Sequence, residues 1–309
     1  MAQRILVTGA SGFVGRHLLR ALAARGYEAI ACGRRAGALE GAQFLEIDDI
    51  ATADWSALLA GVDAVVHAAG IAHTRGVAPA DYDRINAEAT LRLAAEAVGR
   101  IGRLVFLSSI RAISGPVSET PLDEHSLAMP TEAYGRSKLK AERGLALLDL
   151  PTISLRPVAV YGEGVKGNLA RIERLADTPL PLPLASLRAA RSFLCIDNLV
   201  SAILFALEQD GKGAKAFVVA DPQPSNVAEL VLGLREGLGR NARLFACPPA
   251  LLGAAASLGG QGESWRTMAG SMIAMPGCLV DAGWRPPVAT SREGAQRWGR
   301  AARTARAHP

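Results

Sequence analysis

Short, unbroken apolar runs alternate with amphipathic stretches along the first half of the chain. The runs predict strands at residues 4–8, 28–32, 44–47, 64–67, 104–108 and 152–155. Between them apolar residues recur at helical spacing, as at Val14, Leu18 and Leu22. Strands that are apolar throughout and separated by helices are typical of a parallel sheet covered on both faces. We therefore predict an α/β fold with a doubly wound, Rossmann-type sheet, which binds ligands beyond the carboxyl ends of its strands.

The pattern becomes less regular after Pro157. Residues 177–187 are rich in Pro and Leu, and the chain is mainly helical from Asn226 onward, although 193–196 and 216–220 still predict strands. We therefore expect a second, smaller and mainly helical C-terminal lobe that binds substrate. The predicted division is a nucleotide-binding Rossmann domain at 1–165 plus about 191–222, and a substrate-binding lobe at about 166–190 and 223–309.

Composition and charge exclude several classes of protein. Half of the residues are apolar, a fifth are charged and the formal net charge is +5, as in an ordinary globular protein. The cysteines lie far apart and without a His cluster, so we expect neither a metal site nor a disulfide framework. No secretory pattern precedes the first strand, and the longest apolar stretch, 249–258, is too short to span a bilayer. A cytoplasmic location and no membrane span are therefore expected.

Arginines recur at every third position near the end of the chain, at Arg297, Arg300, Arg303 and Arg306. They fit either a nucleic-acid surface or a solvated helix end or frayed terminus. The second interpretation is favoured because Arg and Lys are otherwise scattered, so no nucleic-acid partner is expected.

A glycine-rich turn directly follows the first predicted strand and opens the first predicted helix. It reads Thr8-Gly9-Ala10-Ser11-Gly12-Phe13-Val14-Gly15. Glycines at this spacing allow a tight turn, a close approach of the backbone to phosphate and close packing of helix on sheet. The helix N-terminus then favours the anion. We expect Gly9, Ser11, Gly12, Phe13, Val14 and Gly15 to hold the pyrophosphate of a dinucleotide.

The end of the second predicted strand selects the cofactor. NAD binding usually uses a carboxylate at this position, but the sequence offers Arg34 and Arg35 instead. Guanidinium groups can pair with a 2′-phosphate, so NADP is expected rather than NAD. The alternative is that both arginines are surface charges of a loop.

Two further strand ends supply candidate cofactor contacts. Asp49 and Ile50 follow the third strand, where a carboxylate could meet the adenine amino group and an apolar side chain its face. The fourth strand ends in His67, Ala68, Ala69 and Gly70, whose last three residues are small enough for backbone to lie against the cofactor. A histidine on such a strand is more often a hydrogen-bonded core residue than a catalyst, so a structural role is favoured for His67.

Tyr134 and Lys138 begin a predicted helix, and their spacing of four places both side chains on one face. An ammonium beside a phenol is expected to lower the pKa of the phenol from about 10 toward neutrality. Tyr134 could then exchange a proton with a carbonyl that receives a hydride.

The chain resembles an extended short-chain dehydrogenase/reductase of the NAD-dependent epimerase/dehydratase family. The residues that carry the resemblance span nearly the whole chain: Thr8 to Gly15, Asp49-Ile50, His67 to Gly70, Leu107-Ser108-Ser109, Tyr134 to Lys138, Leu155-Arg156-Pro157 with Tyr161-Gly162, Arg191-Ser192-Phe193, and Gly283-Trp284-Arg285-Pro286. It is most similar to the branch that reduces the 4-keto group of UDP-linked deoxyhexosamines.

The resemblance implies a role for several further residues. Tyr134 would be the acid/base, and Lys138 would tune it and hold the nicotinamide ribose. Ser109, with Ser108 as the alternative, would hydrogen-bond the reacting oxygen. Pro157 and Val158 would lie near the nicotinamide. Asn86 would either bond to backbone near the site or be structural.

The resemblance also implies a nucleotide-sugar substrate. Lys166, Asn168 and Arg191 match positions that hold a nucleotide diphosphate, and the alternative for Arg191 is an ion pair with Asp197 or another carboxylate. A further diphosphate-binding arginine is expected near Arg266, where the sequence departs from the family pattern. A homodimer, often formed through the helix that carries the tyrosine, is also common among similar proteins.

These observations favour an NADP(H)-dependent reductase of a nucleotide-linked keto sugar. Three alternatives stay open at this point: a nucleotide-sugar 4-epimerase with the same residues, a reductase of a non-sugar ketone, and a non-catalytic dinucleotide sensor or scaffold.

Overall fold

The computed structural model describes residues 2–34, 42–72 and 76–307 of the chain. Its strands are β1 (Arg4–Thr8), β2 (Glu28–Gly33), β3 (Gln43–Glu46), β4 (Ala64–His67), β5 (Arg103–Leu107), β6 (Thr152–Pro157), β7 (Ala159–Tyr161), β8 (Phe193–Cys195) and β9 (Ala214–Val219). Its α-helices are α1 (Phe13–Ala24), α2 (Trp55–Leu58), α3 (Pro79–Tyr82), α4 (Ala89–Ala97), α5 (Ala133–Leu145), α6 (Gly167–Ala176), α7 (Ile196–Glu208), α8 (Val227–Gly237), α9 (Pro249–Leu258), α10 (Gly262–Ala269), α11 (Gly277–Asp281) and α12 (Ser291–Ala307). A π-helical stretch, Asp83–Glu88, joins α3 to α4, and a 3₁₀ turn, Ile110–Ala112, follows β5.

The described residues form a seven-stranded sheet in the order β3-β2-β1-β4-β5-β6-β9. The pairs β1–β2, β1–β4, β2–β3, β4–β5 and β5–β6 are all parallel. The order reverses between β1 and β4, and ligands of doubly wound sheets bind beyond the strand ends at such a reversal. The predicted doubly wound Rossmann fold is therefore confirmed.

The apolar strands are buried because helices cover the sheet. Leu6, Val65 and Phe106 from three different strands are fully inaccessible and belong to one core cluster with Leu93 of α4 and Leu145 of α5. This explains why the strand sequences do not alternate between apolar and polar residues. The sheet is consequently a rigid base for the loops that follow its strands.

Most predicted strands differ from the observed ones by one or two residues at either end. Residues 104–108 were expected as a strand, but β5 ends at Leu107, so Ser108 and Ser109 belong to the loop that follows it. Strand β7 was not predicted. It has three residues directly after Pro157 and pairs only with the equally short β8 among the described residues.

The chain divides into two compact units. Unit 1 comprises residues 1–115, 124–157 and 200–218, and unit 2 comprises 116–123, 158–199 and 219–309. The predicted Rossmann domain also included 116–123, 158–165, 191–199 and 219–222, which belong to unit 2. This difference follows from the chain passing between the units several times, which a pattern read along the sequence does not reveal.

Unit 2 has its own core, in which α8 and α12 pack closely. Asn226 caps α8 by accepting a hydrogen bond from the Glu229 amide at 2.9 Å. A Cβ atom on Gly233 would lie 2.6 Å from the Arg292 carbonyl oxygen, and one on Gly299 would meet Leu234 backbone as closely. Glycines on both helices therefore allow the backbones of α8 and α12 to approach each other closely.

The arginine-rich C-terminus is helical. Arg297 pairs with Glu293 at 2.8 Å and with Asp197 at 3.6 Å, and Arg306 pairs with Glu173 at 3.2 Å. These arginines are exposed on α12, so the described residues agree with a solvated helix end rather than a frayed terminus. Carboxylates of unit 2 bind two of them.

No helix in the described part of the chain is long and apolar enough to cross a membrane. Among the same residues, no group of three His, Cys, Asp or Glu side chains could hold a metal ion. The cysteines are free thiols, and burial raises the pKa of Cys32 to about 11.

We predict that Gly237→Ala lowers the free energy of unfolding by about 1–3 kcal/mol, the usual cost of overpacking. A Cβ at this position would lie 2.9 Å from the Gln296 carbonyl carbon of α12 and closer still to its oxygen. This clash outweighs the gain of about 1 kcal/mol in helix propensity. Urea unfolding followed by circular dichroism measures the change.

Gly277→Ala is the matched control, because Gly277 begins α11 and a Cβ there would meet nothing within 4 Å. Its free energy of unfolding should be unchanged or slightly higher. Equal destabilisation by the two substitutions would contradict the close packing of α8 on α12.

Candidate active site

The glycine-rich turn lies between β1 and α1, as predicted. Gly9 has a φ of +69°, and a Cβ there would lie 2.8 Å from the Ala69 amide nitrogen. The Gly12 amide donates to the Gly9 carbonyl at 2.9 Å, which closes the turn. A Cβ on Gly15 would lie 2.6 Å from the Cα atom of Ala10. Lack of space therefore requires glycine at both positions, and at Gly9 the backbone conformation requires it as well.

The N-terminus of α1 is suited to an anion. Its N-cap is Gly12, and within the described residues no side chain caps it and no acidic residue lies in the first turn. The first amides of a helix have no partners within the helix, and the helix dipole is positive there. The turn and the helix end together have the properties of a phosphate-binding site.

The end of β2 lies beside this turn. A Cβ on Gly33 would be 3.8 Å from the Ser11 hydroxyl oxygen, and the exposed Arg34 follows directly. Arg35, the second arginine predicted to select NADP, lies outside the described residues. Arg34 is thus next to the candidate phosphate site, at the place where the sequence predicted a 2′-phosphate contact.

Asp49 already has partners within the chain. Its carboxylate accepts hydrogen bonds from the Ala51 amide and from Arg84, both at 2.9 Å. These bonds, with a smaller effect of the Arg34 charge, lower the pKa of the carboxyl group. Ile50 is buried in the core of unit 1. The structure therefore gives both residues structural contacts at the positions predicted to meet adenine.

His67 lies at the centre of a buried hydrogen-bond chain. Its Nδ1 is 2.9 Å from the Thr8 hydroxyl, and its Nε2 is 2.9 Å from the Thr90 hydroxyl. Thr90 donates its proton to the Asn86 carbonyl, so it accepts from Nε2–H, and Nδ1 accepts from Thr8. Burial, together with the charge of Lys138, lowers the pKa of His67 to about 3. A neutral structural histidine, the favoured interpretation, agrees with these contacts.

Asn86, on the π-helical stretch, holds the loop after β4. Its side chain accepts from the Ile71 amide at 2.8 Å and donates to the Ile71 carbonyl at 3.0 Å. It also donates to the Ser137 hydroxyl on α5 at 3.2 Å. A Cβ on Gly70 would lie 2.7 Å from the Asn86 side-chain oxygen. The expected bond to backbone is present, and it fixes the loop that begins with Ala68 and Ala69.

Tyr134 lies in the first turn of α5 and is hydrogen-bonded to the side chain of Ser109. Burial raises the pKa of Tyr134, while the Ser109 bond and the Arg111 charge lower it to a smaller extent. The expected net lowering of this pKa is therefore wrong for the chain itself, because burial of the phenol outweighs the groups that favour the phenolate.

Lys138 follows one turn later and is buried. Its ammonium donates to the Leu107 carbonyl at 2.7 Å and lies 4.6 Å from the centre of the Phe106 ring. Burial lowers the pKa of Lys138 to about 8, although the Glu142 carboxylate acts in the opposite direction. Most of the Lys138 side chains are thus charged at neutral pH, but the group titrates near the physiological range.

Ser108 and Ser109 have different partners. The Ser108 hydroxyl donates to the Glu142 carboxylate, which also binds Arg156. Ser109 faces Tyr134 and accepts from the Arg111 amide at 3.2 Å. Of the two serines left open by the sequence, Ser109 is therefore the one beside the candidate acid/base. The buried Glu142–Arg156 pair was not predicted, although Glu142 stands four residues after Lys138.

The residues predicted to bind the substrate diphosphate lie in unit 2. Lys166 is the exposed N-cap residue of α6, and Asn168 lies in the first turn of that helix. Within the described residues no side chain caps α6 and no acid lies in its first turn. Its N-terminus therefore combines a cation, an amide and a positive helix end.

Arg191 is buried, and its guanidinium donates to the Gly270 carbonyl at 2.8 Å and to the Pro116 carbonyl at 3.1 Å. Asp197, one carboxylate expected as an alternative partner of Arg191, pairs with Arg297 at 3.6 Å instead. Arg266, near which a second diphosphate contact was expected, is exposed on α10.

Pro157 and Val158, which were predicted to lie near the nicotinamide, are adjacent in sequence but belong to different units. Pro157 ends β6 in unit 1 and is half-buried, and Val158 begins the next segment of unit 2 and is buried. Neither side chain could take part in proton transfer, so either residue could contribute only by packing against a ligand.

Unit 2 contains a buried carboxylate, Asp221, that was not predicted from the sequence. Asp221 accepts hydrogen bonds from Tyr161 at 2.9 Å, from Ser291 and Asn198 at 2.8 Å, and from the Cys195 amide at 2.8 Å. Burial raises its pKa, and these bonds oppose the shift. The cluster fixes the elements of unit 2 to one another.

Known proteins match this chain both in sequence and in fold. The profile of the NAD-dependent epimerase/dehydratase family matches residues 5–220. A UDP-glucose 4-epimerase from Vibrio cholerae is 29% identical over 301 residues, which cover 93% of this chain and 92% of that protein. A 4-hydroxy-2-methyl-3-oxo-4-farnesyl-3,4-dihydroquinoline-1-oxide ketoreductase from Stigmatella aurantiaca is 30% identical over 277 residues, covering 86% and 81%.

Among solved structures, a UDP-glucuronic acid 4-epimerase from Bacillus cereus in complex with NAD has a TM-score of 0.76. It is 20% identical to this chain, and the match covers 99% of this chain and 100% of that one. At this identity the likeness shows a shared fold.

We predict that the buried His67 makes stability depend on pH. Its folded-state pKa of about 3 is below the unfolded-state value of about 6.5. Between these values the unfolded chain binds a proton that the folded chain does not. The free energy of unfolding should therefore fall by about 1.4 kcal/mol per pH unit below about pH 6.5.

His67→Gln removes this proton uptake, so its free energy of unfolding should depend less steeply on pH between 6.5 and 5. Urea unfolding of both proteins across that range compares the slopes rather than the absolute stabilities. Parallel slopes would contradict the neutral, buried state of His67.

Proposed function

Because the chain belongs to the NAD-dependent epimerase/dehydratase family, whose members are enzymes of the extended short-chain dehydrogenase/reductase type, we propose that it is an NADP(H)-dependent oxidoreductase. Its proposed substrate is the keto group of a nucleotide-linked sugar, of the UDP-4-keto-hexosamine type. The observation that carries the proposal is the hydrogen bond between Tyr134 and Ser109, one helical turn from the buried ammonium of Lys138.

The residues around β1 and β4 fit a dinucleotide. Gly9 and Gly70 lie where a Cβ would clash with neighbouring atoms, so the backbone is bare at both strand ends. The uncapped N-terminus of α1 suits the pyrophosphate, and Lys138 is the residue proposed to hold the nicotinamide ribose. When bound, the reduced cofactor would supply a hydride to the carbonyl carbon, and the oxidised cofactor would accept one from the same carbon of the corresponding alcohol.

Tyr134 would transfer the proton. Burial favours the protonated phenol, so Tyr134 holds a proton that it can give to a carbonyl oxygen on which negative charge develops. The Ser109 hydroxyl would hydrogen-bond the same oxygen and stabilise that charge. The ammonium of Lys138 would favour the phenolate that remains after the transfer.

NADP rather than NAD is proposed on account of Arg34. It follows β2 beside the Ser11 side chain, and its positive charge acts on Asp49, which Arg84 also binds. A guanidinium at this place can pair with a 2′-phosphate. The carboxylate of Asp49 is paired with Arg84 at 2.9 Å, which would weaken its repulsion of the phosphate.

Unit 1 is proposed to bind the dinucleotide and unit 2 the substrate. In unit 2, Lys166, Asn168 and the N-terminus of α6 offer donors and positive charge to a diphosphate. Arg191 could take part only by exchanging bonds to the Gly270 and Pro116 carbonyls. A UDP-sugar supplies the matching anion.

A homodimer is also proposed, through the face of α5 that does not carry Lys138. A cavity of about 640 Å³ in unit 1 is lined on this face by Arg136, Leu139 and Lys140, and from α3 by Pro79 and Ala80. A surface of alternating apolar and basic groups next to Asp83 could receive a second copy of the chain.

The main alternative is a 4-epimerase, because the Vibrio cholerae relative carries that name. An epimerase keeps its cofactor bound through two hydride transfers, so purified protein that contains NAD and inverts C4 without added cofactor would replace the reductase proposal. Reduction of small ketones but not of nucleotide sugars would instead favour the activity that the Stigmatella aurantiaca relative is named for.

We predict that Tyr134→Phe lowers kcat for reduction by about 10²–10⁴-fold, while the Kd for NADPH changes little. The substitution removes the transferable proton and keeps the ring. Steady-state kinetics and fluorescence titration with NADPH measure the two quantities. Retained turnover would disprove the acid/base role and favour a non-catalytic function of the fold.

Ser109→Ala and Ser108→Ala form a matched pair in the same assay. Ser109→Ala should lower kcat by about 10²–10³-fold, as the loss of a donor to the reacting oxygen does elsewhere. Ser108→Ala should have a clearly smaller effect, because Ser108 binds Glu142. The reverse order would transfer the role to Ser108.

We predict that Arg34→Ala weakens NADPH binding by about tenfold or more, the equivalent of at least one charge-assisted hydrogen bond, and leaves NADH binding nearly unchanged. Titration of each dinucleotide measures Kd. Arg25→Ala, which removes a distant arginine paired with Glu208, controls for the loss of one positive charge. Equal weakening of both dinucleotides by Arg34→Ala would refute the contact with the 2′-phosphate.

A further inference from the structure

Three consecutive residues at the end of β5 bind three residues of α5 that are spaced one turn apart. The Leu107 carbonyl accepts from Lys138 at 2.7 Å, the Ser108 hydroxyl donates to Glu142, and Ser109 is hydrogen-bonded to Tyr134. The candidate catalytic groups thus belong to a continuous set of contacts. Glu142 is the member to which no role has been given.

Glu142 is buried, with 8% of its surface exposed, and its carboxylate is fully engaged. Arg156 of β6 donates from Nη2 to one oxygen at 2.6 Å and from Nε to both oxygens, at 3.1 and 3.2 Å. Ser108 donates to the oxygen that Nη2 leaves free. The carboxylate is therefore held in one orientation from a strand on one side and a loop on the other.

A buried ion pair contributes little to stability by itself, because the loss of hydration offsets the attraction. Apolar side chains of similar size would pack as well between α5 and β6. The pair lies one turn from a buried ammonium, however, and a charge in such a place acts strongly on its neighbours because the surroundings screen it weakly.

We infer that Glu142 is a positioning residue for the proposed reaction: it fixes Ser108, and with it the adjoining Ser109, opposite Tyr134, and it supplies a buried negative charge one helical turn from the ammonium of Lys138. Arg156 is the counter-charge that limits the effect of Glu142 on Lys138. The expected effect of Glu142 on kcat rests on the proposed function, whereas its effect on Ser108 and Lys138 does not.

The charged and titratable groups near Lys138 determine the direction in which each substitution should shift its pKa. Its own helix contributes Glu142 and Tyr134, β4 contributes His67, which is neutral above pH 3, and β6 contributes Arg156. Burial lowers the pKa of Lys138 to about 8, and Glu142 raises it. Without the Glu142 charge the pKa falls further, whereas without the Arg156 charge it rises.

The first experiment measures Lys138 directly by NMR titration of protein with ¹³Cε-labelled lysine. Lys138→Met assigns its signal among those of Lys140, Lys166, Lys212 and Lys215. Glu142→Gln should lower the midpoint of Lys138 by about one pH unit or more, which is the usual effect of losing a nearby opposite charge. Arg156→Gln should raise it. Glu88→Gln, which removes an exposed partner of Lys140, should leave it unchanged.

An unchanged midpoint in Glu142→Gln, or a shift in the same direction in both variants, would overturn the inference, because a merely structural pair predicts no opposite shifts. If Glu142→Gln does not fold, Arg156→Gln must still raise the midpoint. Glu142→Asp, which keeps the charge, must also keep the midpoint near that of the unmodified protein. Failure of either result overturns the inference as well.

The second experiment follows kcat for the reduction against pH. In Glu142→Gln the fall of kcat at high pH should begin at a lower pH, by the same amount as the NMR midpoint shifts, and Glu142→Asp should restore it. A shifted midpoint with an unshifted kcat profile would refute the catalytic consequence. If the unmodified protein reduces no ketone at all, the proposed function fails, while the NMR titration still decides the role of the Glu142 charge.

Discussion

The close approach of the turn after β1 to the loop after β4 is the constraint on which the arrangement of unit 1 depends. Thr8 accepts the Ala69 amide at 3.2 Å and donates to His67, so the two strand ends are bonded through one hydroxyl. Gly9 fits against the Ala68–Ala69 backbone only because it has no Cβ. The sheet order reverses at this place, so the same contact that closes the fold also leaves bare backbone where a dinucleotide binds in folds of this type.

Three charged side chains are buried next to this junction, two on α5 and one on β6. Lys138 and Arg156 are cationic and Glu142 is anionic, and all three are less than a tenth exposed. His67 shares the same interior, and the charge of Lys138 helps to keep it neutral. A protonated His67 would be a third buried cation and would add a desolvation cost without a partner. The neutral imidazole, held between Thr8 and Thr90, is therefore as necessary to the site as the charged residues.

The local features of the site could be predicted from the sequence, whereas features that depend on register could not. Gly9 to Gly15, Tyr134 and Lys138 stand in short segments whose spacing alone indicates a turn or a helix face. Ser108 and Ser109 are neighbours of the same type, and only the exact end of β5 decides which of them faces Tyr134. The pairing of Glu142 with Arg156 requires β6 to lie next to β5, and the pKa of Tyr134 depends on its burial, which spacing does not reveal.

The protonation states of Tyr134 and Lys138 bear on the proposed proton transfer. Burial favours the neutral phenol of Tyr134, and a pKa of about 8 leaves Lys138 mainly as the ammonium at neutral pH. The chain is thus prepared to give a proton, which a carbonyl needs as it accepts a hydride. The proposed reduction starts from this protonated phenol. The two pKa shifts come from the burial of both groups rather than from their spacing on α5.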